Sequence, residues 1–162
     1  MARIVISDAS PVIGLSQIDG LKWLPELFAE VWLPSQIKQE VLPDKKVKGA
    51  KLIQQAIENG WLKIWPEQIE PLTNINLDEG ESACINLAQS FAGNVLLIMD
   101  EKAGRAVAIE RGVKIVGTAA IIGIAKQQGL IDSAKDAFTR LHNSNFRIAA
   151  DVIKTVLRRV GE

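Results

Sequence analysis

The 162-residue sequence lacks several features that mark common classes of functional site. Its single cysteine, Cys84, excludes an internal disulfide and any zinc site built from several cysteines. Its single histidine, His142, excludes histidine-rich metal sites and the paired histidines of zinc proteases. No apolar run approaches the roughly 20 residues that a membrane span needs. Neither the glycine-rich dinucleotide motif nor the phosphate-binding loop of nucleotide hydrolases is present.

The chain also has no net charge, because 19 basic residues match 19 acidic ones. A basic coat over the whole surface, as in many nucleic-acid-binding proteins, is therefore excluded. The charges are unevenly distributed: residues 1–99 contain 8 Lys/Arg and 12 Asp/Glu, whereas residues 100–162 contain 11 and 7. Two interpretations stay open, an acidic centre with a basic rim, or two oppositely charged halves that simply coexist. The N-terminal residues do not resemble a secretion signal, so we expect a soluble, cytoplasmic protein.

The apolar pattern predicts an α/β domain. Short apolar runs at residues 4–6, 31–33, 61–65, 95–98 and 113–116 are typical of strands, and segments with helical spacing separate them. Strands that alternate with helices form a mainly parallel sheet. From residue 118 onward the pattern is helical. With 48% apolar residues, the chain is long enough for one domain with a substantial core.

Two of the predicted strands end in an aspartate, Asp8 and Asp100. Ligands of parallel sheets bind beyond the carboxyl ends of the strands, so these positions suit an active site. Each aspartate could instead cap the helix that follows it, a role for which Asp is well suited. For either residue alone, the two interpretations are evenly balanced.

Two further acids could join them. Glu81 falls on the apolar stripe of a predicted helix over residues 81–92, although Asp78 and Glu81 also match a helix-capping box. Glu40 borders the inward face of a helix after Pro34, or is an ordinary surface residue. Hard divalent cations such as Mg²⁺ or Mn²⁺ prefer carboxylate oxygens and need neither histidine nor cysteine. Convergence of these acids would create such a site.

Five short motifs follow one another along nearly the whole chain. They are Asp8-Ala9-Ser10-Pro11, Pro34-x-x-Ile37-x-x-Glu40, Gly80-Glu81-Ser82-Ala83, Leu97-Ile98-Met99-Asp100 and Val116-Gly117-Thr118. In order and spacing they resemble the PIN-domain nucleases, and more narrowly the PIN-like proteins related to VapC-type toxins of toxin–antitoxin pairs. This resemblance implies a three-layer α/β/α sandwich with a mainly parallel central sheet. It implies one domain over residues 1–162, with the last helices, about residues 133–160, packed on the same core.

The resemblance also implies site residues. The acidic quartet of the family falls on Asp8, Glu40, Glu81 and Asp100, as catalytic residues and as ligands of one or two Mg²⁺ or Mn²⁺ ions. Glu101 matches an accessory acidic position. Polar positions beside the family's site fall on Ser10 and Thr118.

Basic residues near these acids are candidates for contact with nucleic acid. Lys102 and Arg105 lie on the first turns of the helix after Asp100, and we expect them to bind substrate together with the polar positions Ser10 and Thr118. A surface role is the alternative for both cations. Lys45, Lys46, Lys48 and Lys51 form a basic loop just after Glu40, either solvated or in contact with substrate.

The implied activity is metal-dependent hydrolysis of RNA phosphodiester bonds by an endoribonuclease, with the toxin of a toxin–antitoxin pair as one role. The implied partners are RNA, a small antitoxin protein and a second copy of the chain in a homodimer. The alternative is a PIN-like module that binds nucleic acid or protein but cleaves weakly or not at all.

Overall fold

The computed structural model describes residues 4–42, 48–73, 75–91 and 93–162. Within these ranges the strands are β1 (Ile4–Ser7), β2 (Val31–Leu33), β3 (Leu62–Ile64), β4 (Val95–Ile98) and β5 (Lys114–Val116). The helices are α1 (Ala9–Gln17), α2 (Trp23–Phe28), α3 (Lys38–Val41), α4 (Ala50–Glu58), α5 (Glu79–Gln89), α6 (Lys102–Glu110), α7 (Thr118–Gln127), α8 (Ala134–Asn143) and α9 (Ala150–Arg159). Lys45 and Lys46 of the predicted basic loop lie outside the described residues, and Lys51 lies in the first turn of α4 rather than in a loop.

The five strands form one sheet in the order β3-β2-β1-β4-β5, and each pair of neighbours is parallel. The predicted parallel sheet is therefore confirmed. The interior strand β4, between β1 and β5, is buried along its whole length, as expected for a parallel strand covered on both faces.

Helices cover both faces of the sheet because side chains alternate along each strand. In β1, Val5 belongs to a core cluster with residues of α1, α4, α7 and α8, whereas Ile6 belongs to a second cluster with residues of α5 and α6. The three-layer α/β/α sandwich is thus confirmed. α8 contributes Phe138 and Leu141 to the first cluster, and α9 packs on it through partly buried side chains such as Val156.

The structure differs from the predicted pattern in three helical segments. The short helix α2 was not predicted, although Pro25 falls in its first turn, where a missing N–H costs no hydrogen bond. The helix predicted after Pro34 is split into a 3₁₀ turn, Ser35–Ile37, followed by the four-residue α3. α5 ends at Gln89 rather than at 92, because the Ser90 N–H is shared between two carbonyls of the last turn. In the described ranges, no helix is long and apolar enough to cross a membrane.

The strand order creates a switch point between β1 and β4. From β1 the chain moves to β2 and β3 on one side, and it then returns to β4 on the other side. β1 and β4 pair with Ser7 beside Ile98, so their carboxyl ends lie side by side. Asp8 directly follows β1, and Asp100 follows β4 after Met99, at the crevice where doubly wound sheets bind ligands.

Candidate active site

Asp8 is buried at the end of β1, with only 7% of its surface exposed. It occupies the N-cap position of α1, yet its side chain forms no capping hydrogen bond. Pro11 at the third helical position has no N–H to donate, and the Asp8 carboxylate accepts a hydrogen bond from the Ala9 N–H at the first position instead. The capping interpretation therefore does not account for Asp8, and its carboxylate is available for another role.

The electrostatic surroundings of Asp8 disfavour its charged form. The pKa of Asp8 is raised to about 6, mainly by burial. A hydrogen bond from the Ala9 N–H lowers this pKa, but by less than burial raises it. The nearby carboxylates of Asp78, Glu40 and Asp100 raise this pKa further. Three side chains from distant parts of the sequence are thus within electrostatic range of Asp8.

Asp78 and Glu81 form a carboxyl pair at the start of α5. The Asp78 side chain accepts a hydrogen bond of 2.7 Å from the Glu81 N–H, so the predicted helix cap is present. The Glu81 side chain is nevertheless buried, with 9% of its surface exposed. Burial, a hydrogen bond with the Asp78 side chain and the charges of Asp8 and Glu101 raise the pKa of Glu81. Capping and a place in the acidic site are therefore compatible here.

Glu40 lies on α3 at the solvent-exposed border of this site. Partial desolvation and the charge of Asp78 raise the pKa of Glu40. Its carboxylate approaches α5, because a Cβ on Gly80 would lie 3.2 Å from Glu40 Oε1. The structure thus brings Glu40 to the acidic site from its outer side.

Asp100 differs from the other acids because its carboxylate is held by hydrogen bonds. It accepts bonds of 2.8 Å from the Thr118 N–H and 2.6 Å from the Thr118 hydroxyl. Glu101, not Asp100, is the N-cap of α6. Arg105 donates a 3.0 Å bond to the Met99 carbonyl, which places its guanidinium beside this strand end. Asp100 is thus oriented by α7, with a cation close by.

Glycines provide space for two of these carboxylates. A Cβ on Gly117 would lie 2.8 Å from Asp100 Oδ1. Gly80 does the same for Glu40, as described above. Substitution of these glycines would crowd the site even where the backbone conformation is ordinary.

The remaining predicted residues occupy varied positions. Ser10 is exposed on the first turn of α1, and Lys102 is exposed at the first position of α6. Arg105 is half-buried, whereas Thr118 is fully buried behind Asp100. The geometry makes Thr118 a positioning residue for Asp100. Direct contact of Ser10, Lys102 and Arg105 with substrate stays a prediction.

Asp78 is the site residue that sequence reasoning missed. The motif around it was interpreted only as a helix cap, and that pattern gives no sign of its neighbours in space. Its charge is a cause of the raised pKa of Asp8, Glu40 and Glu81 alike. The sequence signal that could have identified Asp78 is its position as a helix cap three residues before an acid, Glu81, on the apolar stripe of the same helix.

The buried thiol of Cys84 lies behind the site and takes no part in it. Its Sγ is 3.5 Å from the Ser7 carbonyl oxygen. Burial and four surrounding carboxylates raise the pKa of Cys84 well above its usual value. The thiol therefore stays protonated and is a poor nucleophile or metal ligand.

The chemistry of these donors suits a divalent cation. All are carboxylate oxygens. Burial first, and then neighbouring carboxylates, raise the pKa of Asp8, Glu40 and Glu81, so a bound cation would offset negative charge that the fold disfavours. Among the described residues, however, no three Asp, Glu, His or Cys side chains stand close enough to form a metal-binding group. The site therefore fits Mg²⁺ or Mn²⁺ in donor type and charge, whereas a full ligand set requires the side chains to move closer.

The doubly wound sheet with an acidic switch point defines an α/β domain suited to metal-assisted hydrolysis. A family model described as a PIN domain matches residues 4–162, and the chain belongs to this family. PIN domains are in general metal-dependent nucleases, so the fold is that of a nuclease and, at a coarse level, of a hydrolase. Neither a curated protein nor a solved structure matches the chain. Its relation to the VapC-type branch stays a prediction.

Proposed function

We propose that the chain is a Mg²⁺- or Mn²⁺-dependent ribonuclease that hydrolyses RNA phosphodiester bonds. The main support is Asp8, a buried carboxylate without a helix-capping bond, at the switch point of a PIN domain. None of the ion pairs in the described ranges involves it. Burying such a charge costs several kcal/mol, and functional sites are where such costs are commonly found.

In this proposal, the position of each acid determines its role in metal binding. Asp8 and Asp100 are the central ligands in this proposal, and Glu40 and Glu81 act as further ligands, directly or through water. Asp78 adds charge beside them and accepts a hydrogen bond from Glu81 while the latter is protonated. On ligation Glu81 would give up that proton, so metal affinity should rise with pH. When bound, the metal supplies an activated water and neutralises charge on the phosphate.

Thermal melting with added metal tests the first half of the proposal. At a Mg²⁺ or Mn²⁺ concentration of 100 Kd, binding should stabilise the wild-type fold by about 2.7 kcal/mol. Asp8→Asn should abolish this shift, because it removes a central ligand. Glu110→Gln is the matched control, since Glu110 is an exposed acid at the far end of α6 and should leave the shift unchanged.

Cleavage of a labelled single-stranded RNA tests the second half. Wild type and Glu110→Gln should cleave it with added metal, whereas Asp8→Asn should not, and EDTA should stop the reaction. The proposal fails if wild type leaves the RNA intact, or if wild type and Asp8→Asn melt alike with and without metal.

A second candidate is a PIN-like module that binds nucleic acid without cleaving it. The lack of a ready three-donor metal group in the described residues favours this alternative. It would show RNA binding of equal strength with metal and with EDTA, together with intact RNA.

The toxin role, the small antitoxin and the homodimer stay predictions of the resemblance. Light scattering of the purified chain measures its oligomeric state. A small protein encoded beside this chain, and co-purifying with it, would support the antitoxin.

A further inference from the structure

A groove of about 720 Å³ opens beside Asp100, between α6 and the C-terminal helix α9. It continues the candidate active site toward the C-terminal part of the chain. Its charged lining residues are Asp100, Lys102, Arg105, Arg147, Asp151 and Arg159. Cations therefore outnumber acids in this groove, in contrast to the acidic site at its end.

Within the part of the chain that the structure describes, none of the four groove cations forms an ion pair. The ion pairs within the described ranges join Lys22 to Asp19 and Lys63 to Glu30, and neither pair lies in the groove. Arg105 is tied to the Met99 carbonyl through one nitrogen, which fixes its guanidinium near Asp100. Its planar group retains other donors for a phosphate oxygen.

One face of α9 forms a long wall of the groove. Asp151, Val152, Thr155, Val156 and Arg159 all line it, at a spacing that places them on one side of the helix. From Asp151 to Arg159 this wall is about 12 Å long, at about 1.5 Å per residue. That length matches roughly three or four phosphates of a stacked strand, at about 3.4 Å each.

Exposed apolar side chains lie between the charges. Ile109 on α6 is 62% exposed and Val152 on α9 is 41% exposed, and both line the groove. Cations for the phosphates, with aliphatic surface between them for contact with sugars and bases, suit the binding of a single strand.

Contacts at two places hold α9 against the rest of the fold. Gly123 of α7 allows close packing, since a Cβ there would lie 2.9 Å from Val156 Cγ1. Beyond α9, the Glu162 carboxylate accepts hydrogen bonds from the Ser133 hydroxyl at 2.9 Å and the Ala134 N–H at 2.6 Å. A preformed wall loses little entropy on binding.

We propose that this groove binds single-stranded RNA and leads it to the acidic site. Arg105 contacts the phosphate nearest Asp100, and Arg147 and Arg159 contact phosphates farther along the strand. The identity of the ligand as RNA rests on the proposed function. An acidic peptide could use the same cations, but the groove opens directly onto Asp100, where a substrate strand has to arrive.

Fluorescence anisotropy with a labelled single-stranded RNA in EDTA tests this groove without cleavage. Arg159→Gln should weaken binding about fivefold at 0.1 M salt and lower the log–log salt slope by about 0.7, as expected for one lost phosphate contact. Adding Arg147→Gln should weaken it about 25-fold in total. Arg158→Gln is the matched control, because Arg158 is the exposed neighbour of Arg159 on α9 but does not line the groove.

The outcomes separate this inference from the proposed nuclease activity. If Arg158→Gln and Arg159→Gln bind RNA equally well, the groove is not the binding site, even if wild type cleaves RNA. If Arg159→Gln alone loses affinity but wild type never cleaves, the groove proposal stands and the nuclease proposal fails. If wild type binds a labelled acidic peptide through Arg159 but does not bind RNA, the RNA proposal is overturned.

Discussion

The switch point has an aspartate on each side, and the two aspartates have opposite environments. On the β1 side, Asp8 is buried among other carboxylates, and its pKa is raised to about 6. On the β4 side, Asp100 accepts two hydrogen bonds from Thr118 and has Arg105 nearby. One carboxylate is destabilised until a cation compensates it, whereas the other is already oriented. The end of β1 thus provides a carboxylate that a cation would stabilise, and the end of β4 provides one whose orientation is already fixed.

The uneven distribution of charge along the chain corresponds to two regions of the fold, the acidic site and the groove. The acids of the site, apart from Asp100 and Glu101, come from residues 1–99, whereas the cations of the groove come from residues 100–162. Of the two interpretations that the sequence left open, the acidic centre with a basic rim agrees with the described geometry.

The largest expected effect concerns the destabilised side. Unfolded Asp8 ionises near pH 4, but folded Asp8 stays protonated up to about pH 6, so wild-type stability should fall as the pH rises through this window and stay lower above it. In EDTA, Asp8→Asn should remove this loss and be more stable than wild type at pH 8 by up to about 3 kcal/mol. Urea unfolding at pH 4 and pH 8 measures the difference. Identical pH profiles for the two proteins would contradict it, and Glu110→Gln serves as control.

The next effect has the opposite sign and concerns the oriented side. Thr118→Val removes the hydroxyl that donates to Asp100 and should destabilise the fold by about 2 kcal/mol, the usual range for a bond to a charged group. Thr118→Ser keeps the hydroxyl and should recover most of this loss. Urea unfolding at pH 7 compares the three proteins, and equal stability of the Val and Ser variants would rule out an orienting role for the hydroxyl.

The smallest effect is expected at the border of the site. Glu40 is exposed, so solvent screens its charge, and Glu40→Gln should change stability by no more than about 0.5 kcal/mol. It should nevertheless weaken Mg²⁺ or Mn²⁺ binding, measured by the metal-dependent shift in melting. A stabilisation as large as that of Asp8→Asn would show that the two acids are desolvated alike.

Much of the fold could be predicted because its signals are local. The predicted strands at 4–6, 31–33 and 95–98 agree with β1, β2 and β4 to within one residue, since an apolar run is read from neighbours along the chain. α2 was missed because its six residues are too few to show a helical period. The cap at Asp78 could be predicted for the same local reason, but its role beside Asp8 could not.

Sequence alone established the periodicity, the helix caps, the uneven charge and the ordered motifs of a PIN domain, because each depends on residues near one another in the chain. The meeting of Asp8, Asp78 and Asp100, and the groove between α6 and α9, depend on strand order and helix packing. Those arrangements join segments dozens of residues apart. Their electrostatics follow from burial in the folded molecule, which no stretch of sequence contains.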